Sequence, residues 1–365
     1  MAERVEQRGA APFFSICVPQ YNRTSFLIEA CRSLAAQSFR DFELCISDDR
    51  STDGREAELL DHLRGSGLSF VWEQRERNLR YDGNLRAAIT LARGRYCFLL
   101  GNDDALAGPA VLQQLVPVLL HRLPVVALCN YVDYASGAEF RRVSDGPLGH
   151  GPEAAVRLFR HFSFVSGVIL RTEEAQACAT TDWDGSEMYQ MYLASRALAA
   201  GGVAHGFALS AVRKDIVVVG EAVDSYARRA RLDPCPIEQR RLNLVWIPRL
   251  MGAALAPYVP VRARSRLNRR VFLQLIGYTY PFWLFEYRRI QSWRYAVGIA
   301  LGMRPRNLNA GQLLSRLDRW RVIALYALVT AGGLLIPRGW FERARGRLFA
   351  LAKSTERQSR EAIAS

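Results

Sequence analysis

The chain has 365 residues, half of them hydrophobic, and a formal net charge of +14; this excludes a largely disordered chain and allows one large domain with an appendage, or two domains. Residues 240–365 hold 23 Lys/Arg against 5 Asp/Glu, a net of +18, whereas the remainder holds 26 against 30, a net of −4. The positive charge therefore belongs to the C-terminal third and points to an anionic partner: nucleic acid, lipid headgroups or a phosphorylated ligand.

Residues 1–12 read as a polar N-terminal tail without the basic-then-apolar build of a signal peptide. FFSICVP (13–19) is a strand. Thr24 is the expected cap of a helix carrying Phe26, Leu27, Ala30 and Leu34 on one face. Phe42 to Ile46 is a second strand, and Ser51, Thr52 and Asp53 offer caps for a helix to about Leu63. Leu68 to Trp72 is a third strand, and Asp82 or Gly83 opens the next helix. Tyr96 to Leu100 is a fourth strand running into Gly101-Asn102-Asp103-Asp104. Pro109 suits the first turn of another helix, and Val125 to Cys129 is a fifth strand. Further on, Phe164 to Leu170 reads as a strand. Ser186 to Ala199 reads as a helix closed by Gly201-Gly202, and Val203 to Val219 as extended chain.

Short connections between alternating strands and helices predict an α/β domain, a mostly parallel sheet covered on both faces. Ligands of such sheets bind beyond the carboxyl ends of the strands. Three strand ends are rich in polar groups: Pro19-Gln20-Tyr21-Asn22, Ser47-Asp48-Asp49 through Gly54, and Gly101-Asn102-Asp103-Asp104. Adjacent carboxylates at the end of an apolar strand need compensation, which a hard divalent cation supplies through carboxylates and substrate phosphates. The two side chains of an Asp-Asp step diverge, so Asp104 is the expected metal ligand and Asp103 the contact to ribose or sugar hydroxyls. The same residues also serve as turn and helix-cap groups. GxGxxG and GxxxxGK[ST] loops are absent at these strand ends, so a metal rather than a helix N-terminus would neutralise phosphate. The seven cysteines show no CxxC or zinc spacing, and the five histidines form no spaced set. The cysteines are expected to be buried small hydrophobes in a reducing compartment.

SICVPQYNR (15–23), SLAAQSF (33–39), FELCISDDRSTDG (42–54), RNLRYDGNLRAAITLARGRYCFLLGNDDAL (77–106) and, more loosely, FVSGVILR (164–171) together resemble the donor-binding half of family-two inverting glycosyltransferases with the GT-A (Rossmann-like) fold. Within that group they resemble bacterial O-antigen and capsule transferases, including abequosyltransferase-like enzymes. The resemblance implies that Pro19 and Tyr21 line the base pocket and that Asp49 hydrogen-bonds the base. It places Asn78 and Asn84 near the nucleotide and diphosphate. It puts Asp103 and Asp104 at the Asp-x-Asp position, with Mg2+ or Mn2+ on Asp104. Arg80 stands where the family often has Gly; it is either a phosphate contact or a surface residue. The general base falls in TTDWDGSEMYQMYL, where Glu187 is the first candidate, Asp184 the alternative and Asp182 a third. Asp184 or Ser186 would also cap the helix there.

From about residue 236 Arg alternates with Trp, Tyr, Phe and Leu. Val322 to Ile336 carries no charge; as a helix it spans about 22 Å, short of the roughly 30 Å hydrocarbon core. Arg319, Arg321, Arg338, Arg343, Arg345 and Arg347 flank it with Trp320 and Trp340, which suits either an interfacial or re-entrant segment or a buried core helix. The expected organisation is a catalytic domain over 13–235, with nucleotide-sugar binding in 13–130 and the acceptor side in 131–235. A basic, mainly helical, membrane-associated region follows over 236–365.

The function implied is sugar transfer from a nucleoside-diphosphate sugar to a lipid-linked glycan. The place is the cytoplasmic face of the inner membrane, the anionic membrane surface a partner, and no nucleic acid is expected. The alternatives are a sugar nucleotidyltransferase and a non-catalytic, membrane-associated nucleotide-sugar binder.

Overall fold

The computed structural model describes residues 2–5, 11–218, 243–290, 292–337 and 339–340. The chain divides into two compact units, Met1–Ser225 with Ala253–Pro260, and Tyr226–Gly252 with Val261–Ser365. The expected boundary at 235/236 lies outside the described residues.

The first unit is built on strands β1 (Ala2–Val5), β2 (Phe14–Gln20), β3 (Phe42–Asp48), β4 (Phe70–Gln74), β5 (Tyr96–Leu99), β6 (Ala105–Leu106), β7 (Val126–Asp133), β8 (Glu139–Phe140), β9 (Gly146–His150), β10 (Val168–Arg171) and β11 (Val203–Lys214). Its helices are α1 (Thr24–Ala35), α2 (Glu56–Gly65), α3 (Arg80–Thr90), α4 (Val111–Arg122), α5 (Gly151–Leu158), α6 (Thr172–Ala177) and α7 (Tyr189–Ala199). The sheet runs β1-β4-β3-β2-β5-β10-β7-β11-β6, with β8 on β7 and β9 on β11. Strands β4, β3, β2 and β5 pair in parallel, as short strand-helix connections demand. Strand β10 enters antiparallel between β5 and β7, so the sheet is mixed. Because β10 reverses against both neighbours, β7 again points the way β5 does. The carboxyl ends of β2, β3, β5 and β7 therefore share one edge. Ala2–Val5, within the expected tail, pair antiparallel with β4 at the sheet margin.

Period-two alternation divides the strands between two layers. Phe14, Ile16, Val18, Leu44, Ile46, Trp72 and Phe98 join Leu27, Cys31, Leu34, Leu59, Leu63, Leu112 and Leu115 of α1, α2 and α4 in one core. Each fully buried Leu or Ile contributes roughly 1.5–3 kcal/mol. Cys17 and Cys45, paired in register, alternate to the opposite face, where α3 packs on β2 and β3. Cys17, Cys31, Cys45, Cys97 and Cys129 are buried free thiols, as expected of small hydrophobes. Burial pushes the Cys31 and Cys129 thiols up to about 12.

The turn from α3 into β5 is held by Glu43, which is buried. It accepts from Ser15 Oγ (2.8 Å), from the Arg93 N–H (2.8 Å) and from the Arg93 guanidinium. Gly94 lies so close to β2 that a Cβ there would stand 2.7 Å from the Phe14 carbonyl carbon and the Ser15 nitrogen. Neither backbone atom can move without breaking the β2–β5 ladder. Gly94→Ala is therefore expected to destabilise the first unit by about 1–3 kcal/mol; denaturant titration would show the loss as a lower midpoint at unchanged slope.

Residues 243–246 form a 3-10 turn leading into α8 (Ile247–Leu255). The second unit holds α9 (Val261–Gln274), a π turn (Leu275–Thr279), α10 (Tyr280–Ile290), α11 (Trp293–Gly302), α12 (Ala310–Leu313) and α13 (Arg316–Leu335). Leu267, Val271, Phe272, Tyr280, Leu284, Ile299, Met303 and Val322 are buried. Helix α13 begins six residues before the apolar stretch read from the sequence, because Ser315 caps it by accepting from the Asp318 N–H (3.2 Å). No described helix is long and apolar enough to cross a membrane. Arg343, Arg345 and Arg347 lie outside the described residues, as does Arg338.

Candidate active site

The polar residues read from the sequence do gather along the shared carboxyl edge. Of the eight non-glycine residues with positive φ among the described residues, six sit there: Asn22, Arg23, Arg50, Arg80, Glu187 and Asp215. Strained backbone concentrated on one edge is a feature of binding sites.

The loop after β2 is tied to the loop after β3. The Asn22 N–H donates to Ser51 Oγ (2.8 Å), and the Thr52 N–H donates to Asn22 Oδ1 (2.7 Å). Thr24 does not cap α1. Residue 23 holds that position in a left-handed conformation without a side-chain cap. Asp53 caps from across the loop, accepting from the Thr24 N–H (3.2 Å) and hydroxyl (2.8 Å). Helix α2 likewise starts only at Glu56, because Ser51, Thr52 and Asp53 serve these inter-loop bonds.

Asp48 is buried and accepts from the Ser51 N–H (2.7 Å). Asp49 is buried too, and its Oδ1 accepts from the Leu79 N–H (2.5 Å). Burial raises both acids above the ordinary carboxylate range. Asp49 thus fixes the entrance of α3, which begins at Arg80 rather than at Asp82 or Gly83. Asn78 and Arg80 are exposed, with Asn78 Oδ1 accepting from the Arg80 N–H (3.0 Å). Pro19 is half-buried at the end of β2, and Tyr21 is exposed beside it. Asn84 is buried and donates to the Gln20 carbonyl (2.9 Å); its Oδ1 finds no partner among the described residues. Gln20 also accepts at Oε1 from Asn102 (2.8 Å), joining the first strand end to the third.

Asp103 and Asp104 diverge as expected, but in the opposite sense to the expected roles. Asp104 points inward and is fully buried. Its carboxylate accepts from the Ser166 hydroxyl and, at 2.9 Å, from the Asp215 N–H. Ser166 Oγ in turn accepts from the Gly101 N–H (2.8 Å). Asp103 keeps about a quarter of its side chain exposed (28%) and pairs with the guanidinium of Arg23. The accessible carboxylate of the pair is therefore Asp103. Burial, then the charge of Asp103, pushes Asp104 up to about 7, against the relief given by Ser166 and Asp215.

This raised value has a sign. Folded Asp104 holds its proton to about pH 7, the unfolded chain only to about 4. The folded state thus binds more protons, and the stability Asp104 contributes is lost as pH rises from about 4 to about 7. Asp104→Asn is expected to flatten that fall in the metal-free protein, measured by urea unfolding across the interval; an unchanged slope would remove Asp104 as its source.

The second carboxylate cluster comes from α3 and α7. Asp82 is buried and accepts from the Glu187 N–H (2.8 Å) and the Tyr189 N–H (3.0 Å). It does from another helix the capping that the sequence assigns to Asp184 or Ser186. Asp184 instead forms a two-point ion pair with Arg86. Asp182 is exposed. Glu187 is exposed at the start of α7. The Tyr81 hydroxyl donates to Gln190 Oε1 (3.1 Å). Its phenol is pushed well up, first by burial and then by Asp82, Glu187 and Asp104. Asp82, in the first turn of α3, ties the start of α7 and with it Glu187 to the carboxyl edge of the sheet.

Three contributors had no local signal in the sequence: Arg23, Asp215 and Arg142. The half-buried Arg142 guanidinium donates to the carbonyls of Cys129 (2.6 Å), His161 (3.0 Å), Phe164 (2.8 Å) and Ser166 (2.6 Å). It fixes the segment from which Ser166 reaches Asp104. Among the described residues no group of three or more His, Cys, Asp or Glu is placed to hold a metal. One accessible carboxylate, Asp103, on the strand edge nevertheless fits a hard cation that takes its remaining ligands from substrate and water.

A mixed α/β sheet with helices, carrying polar loops on the carboxyl edge of its parallel half, defines a GT-A-like fold. The S. aureus TarS 1–349 structure in complex with UDP superposes with a TM-score of 0.59 at 15% identity, covering 87% of this chain and 90% of that one. The mannosyltransferase PcManGT from Pyrobaculum calidifontis, in complex with GDP-Man and Mn2+, gives 0.50 at 16%, covering 90% and 88%. Residues 15–171 match the model of glycosyl transferase family 2. Abequosyltransferase RfbV of Salmonella typhimurium is 43% identical over 96 residues, 26% of this chain and 28% of that protein. The amylovoran biosynthesis glycosyltransferase AmsB of Erwinia amylovora is 29% identical over 171 residues, 44% of this chain and 56% of that protein. The chain thus spans about a quarter to a half of these relatives.

Proposed function

We propose that the chain is an inverting glycosyltransferase. It moves a sugar from a nucleoside-diphosphate sugar to a hydroxyl of a lipid-linked glycan, in O-antigen, capsule or exopolysaccharide assembly at the cytoplasmic membrane face. The observation that supports it is a set of polar loops, with Asp49 and Asp103 among them, on the carboxyl edge of a sheet whose residues 15–171 match glycosyl transferase family 2, with Asp82 tying Glu187 to that edge. The names of RfbV and AmsB support the substrate class, and the nucleotide-bound neighbours support the donor.

Pro19, Tyr21 and Asp49 form the base side of the donor pocket; Asn78, Arg80 and Asn84 lie toward the diphosphate. We take Asp103 rather than Asp104 as the metal contact, because its carboxylate is the more exposed of the two. Asp104 is occupied by Ser166 and Asp215, and it holds the loop that presents Asp103. Mg2+ or Mn2+ bound there would neutralise diphosphate charge. Arg23 stands on the same carboxylate and orients it. Glu187 takes the proton of the acceptor hydroxyl as that oxygen bonds to the anomeric carbon. The bond to the diphosphate breaks, the nucleoside diphosphate leaves with the electron pair, and the configuration inverts. Asp184 is a poorer base because Arg86 already neutralises it.

Screening nucleoside-diphosphate sugars with Mn2+ or Mg2+, and detecting released nucleoside diphosphate by mass, tests this reading. Release from one donor class is the expected result. Diphosphate release from a nucleoside triphosphate would instead mark a nucleotidyltransferase.

A further inference from the structure

Helix α13 has two apolar faces, and the fold uses one of them. Val322 and Gly333 are buried. The Tyr326 hydroxyl donates to the Ala300 carbonyl (2.6 Å), and Thr330 meets Tyr280 (2.9 Å). These residues turn one side of α13 to the helical unit. On the other side Leu317 (62% exposed), Trp320 (68%), Ala324, Leu328 (72%), Ala331 and Leu335 (75%) follow at steps of three and four. That is one continuous stripe along a 20-residue helix, about 30 Å long. Ile336 and Trp340, beyond its C-terminal end, are exposed as well. A soluble surface helix carries polar residues on such a face, and a contiguous exposed apolar patch marks an interaction site.

The charge beside the stripe selects its occupant. Buried Asp318 accepts from Ser265 Oγ (2.8 Å) and from Arg269 (2.8 Å), which fixes α9 against the start of α13. Helix α9 brings Arg262, Arg264, Arg266 and Arg270, and α13 itself carries Arg316, Arg319 and Arg321. An apolar stripe with a dense arginine fringe and Trp near both ends matches the boundary between acyl chains and anionic headgroups. The same charges, and Asp318 tied into the unit, bar α13 from crossing. We propose that this outward face of α13 docks on an anionic lipid surface, with the helix lying in the plane of the interface. The proposal does not depend on the transferase reading.

The test is flotation of the full chain with phosphatidylcholine vesicles, with and without phosphatidylglycerol. Wild type is expected to float with phosphatidylglycerol present. Leu328→Glu with Leu335→Glu is expected to lower partitioning at least about tenfold, since each leucine buries a full apolar side chain. Arg262→Gln with Arg266→Gln is expected to lower it about fivefold per charge on the anionic vesicles alone. All four positions are exposed, and unchanged circular dichroism and an unchanged urea-unfolding midpoint certify the fold. A Glu variant that floats like wild type overturns the proposal, as does flotation indifferent to phosphatidylglycerol. A stable dimer by light scattering, dissociated by the Glu substitutions and indifferent to vesicles, assigns the stripe to a second copy and also overturns it.

Discussion

Glu187→Gln is expected to lower sugar transfer by roughly 10²–10⁴-fold while leaving donor binding close to wild type. The size follows from removing the proposed general base, which acts as the hydroxyl attacks. The selectivity follows from position: Glu187 sits at the start of α7, and its backbone N–H is held by Asp82 whatever the side chain is. Gln keeps the shape and removes the proton acceptor. Initial rates with calorimetric donor affinity separate the two effects. A parallel Asp184→Asn variant is expected to lose far less transfer, because that carboxylate is already committed to Arg86. Were Asp184→Asn the more damaging of the two, the base would have to be reassigned.

Asp103→Asn is the second large effect. It removes the accessible charge at the end of β5, and with it the carboxylate proposed to hold the metal. Loss of several kcal/mol of charge stabilisation at the departing diphosphate means a fall in transfer of at least about 100-fold. The fold should tolerate the change, since the side chain is partly exposed and its partner Arg23 is too. Asp104→Asn is expected to act differently. Its carboxylate is fully buried and accepts from Ser166 and Asp215, so the variant should show altered stability and a loosened loop before it shows any loss specific to metal. Activity measured as a function of Mn2+ concentration distinguishes them: raised metal demand for Asp103→Asn, a lowered plateau with ordinary metal demand for Asp104→Asn.

The contrast between those two neighbours shows what the sequence could and could not convey. Strands β2, β3 and β5 were legible because Phe14-Ile16-Val18 and their counterparts alternate cleanly, and because the polar residues fall at their ends. The neighbourhood of the site followed from that alternation alone. Which carboxylate faces the crevice did not follow. It depends on Ser166 and Asp215, 62 and 111 residues away from Asp104, and nothing local to Gly101-Asn102-Asp103-Asp104 encodes them. The caps failed for the same reason. Asp53 serves α1 and Asp82 serves α7 from across loops, whereas Thr24, Asp184 and Ser186 had the right chemistry in the right local place. Strand β10 was found, but its antiparallel insertion was not, because an apolar run carries no direction. Arg142 was invisible, since its partners are four backbone carbonyls rather than any acidic residue.

The central claim is a donor site whose diphosphate is held through a cation at Asp103. Titration calorimetry of the full chain against nucleoside diphosphates, with Mn2+ and then with a chelator, tests it most directly. The account predicts that at least one nucleoside diphosphate binds, that affinity falls sharply in the chelator, and that Asp103→Asn removes the metal-dependent part. Binding of equal strength with and without metal, or metal-dependent binding undiminished in Asp103→Asn, would contradict it.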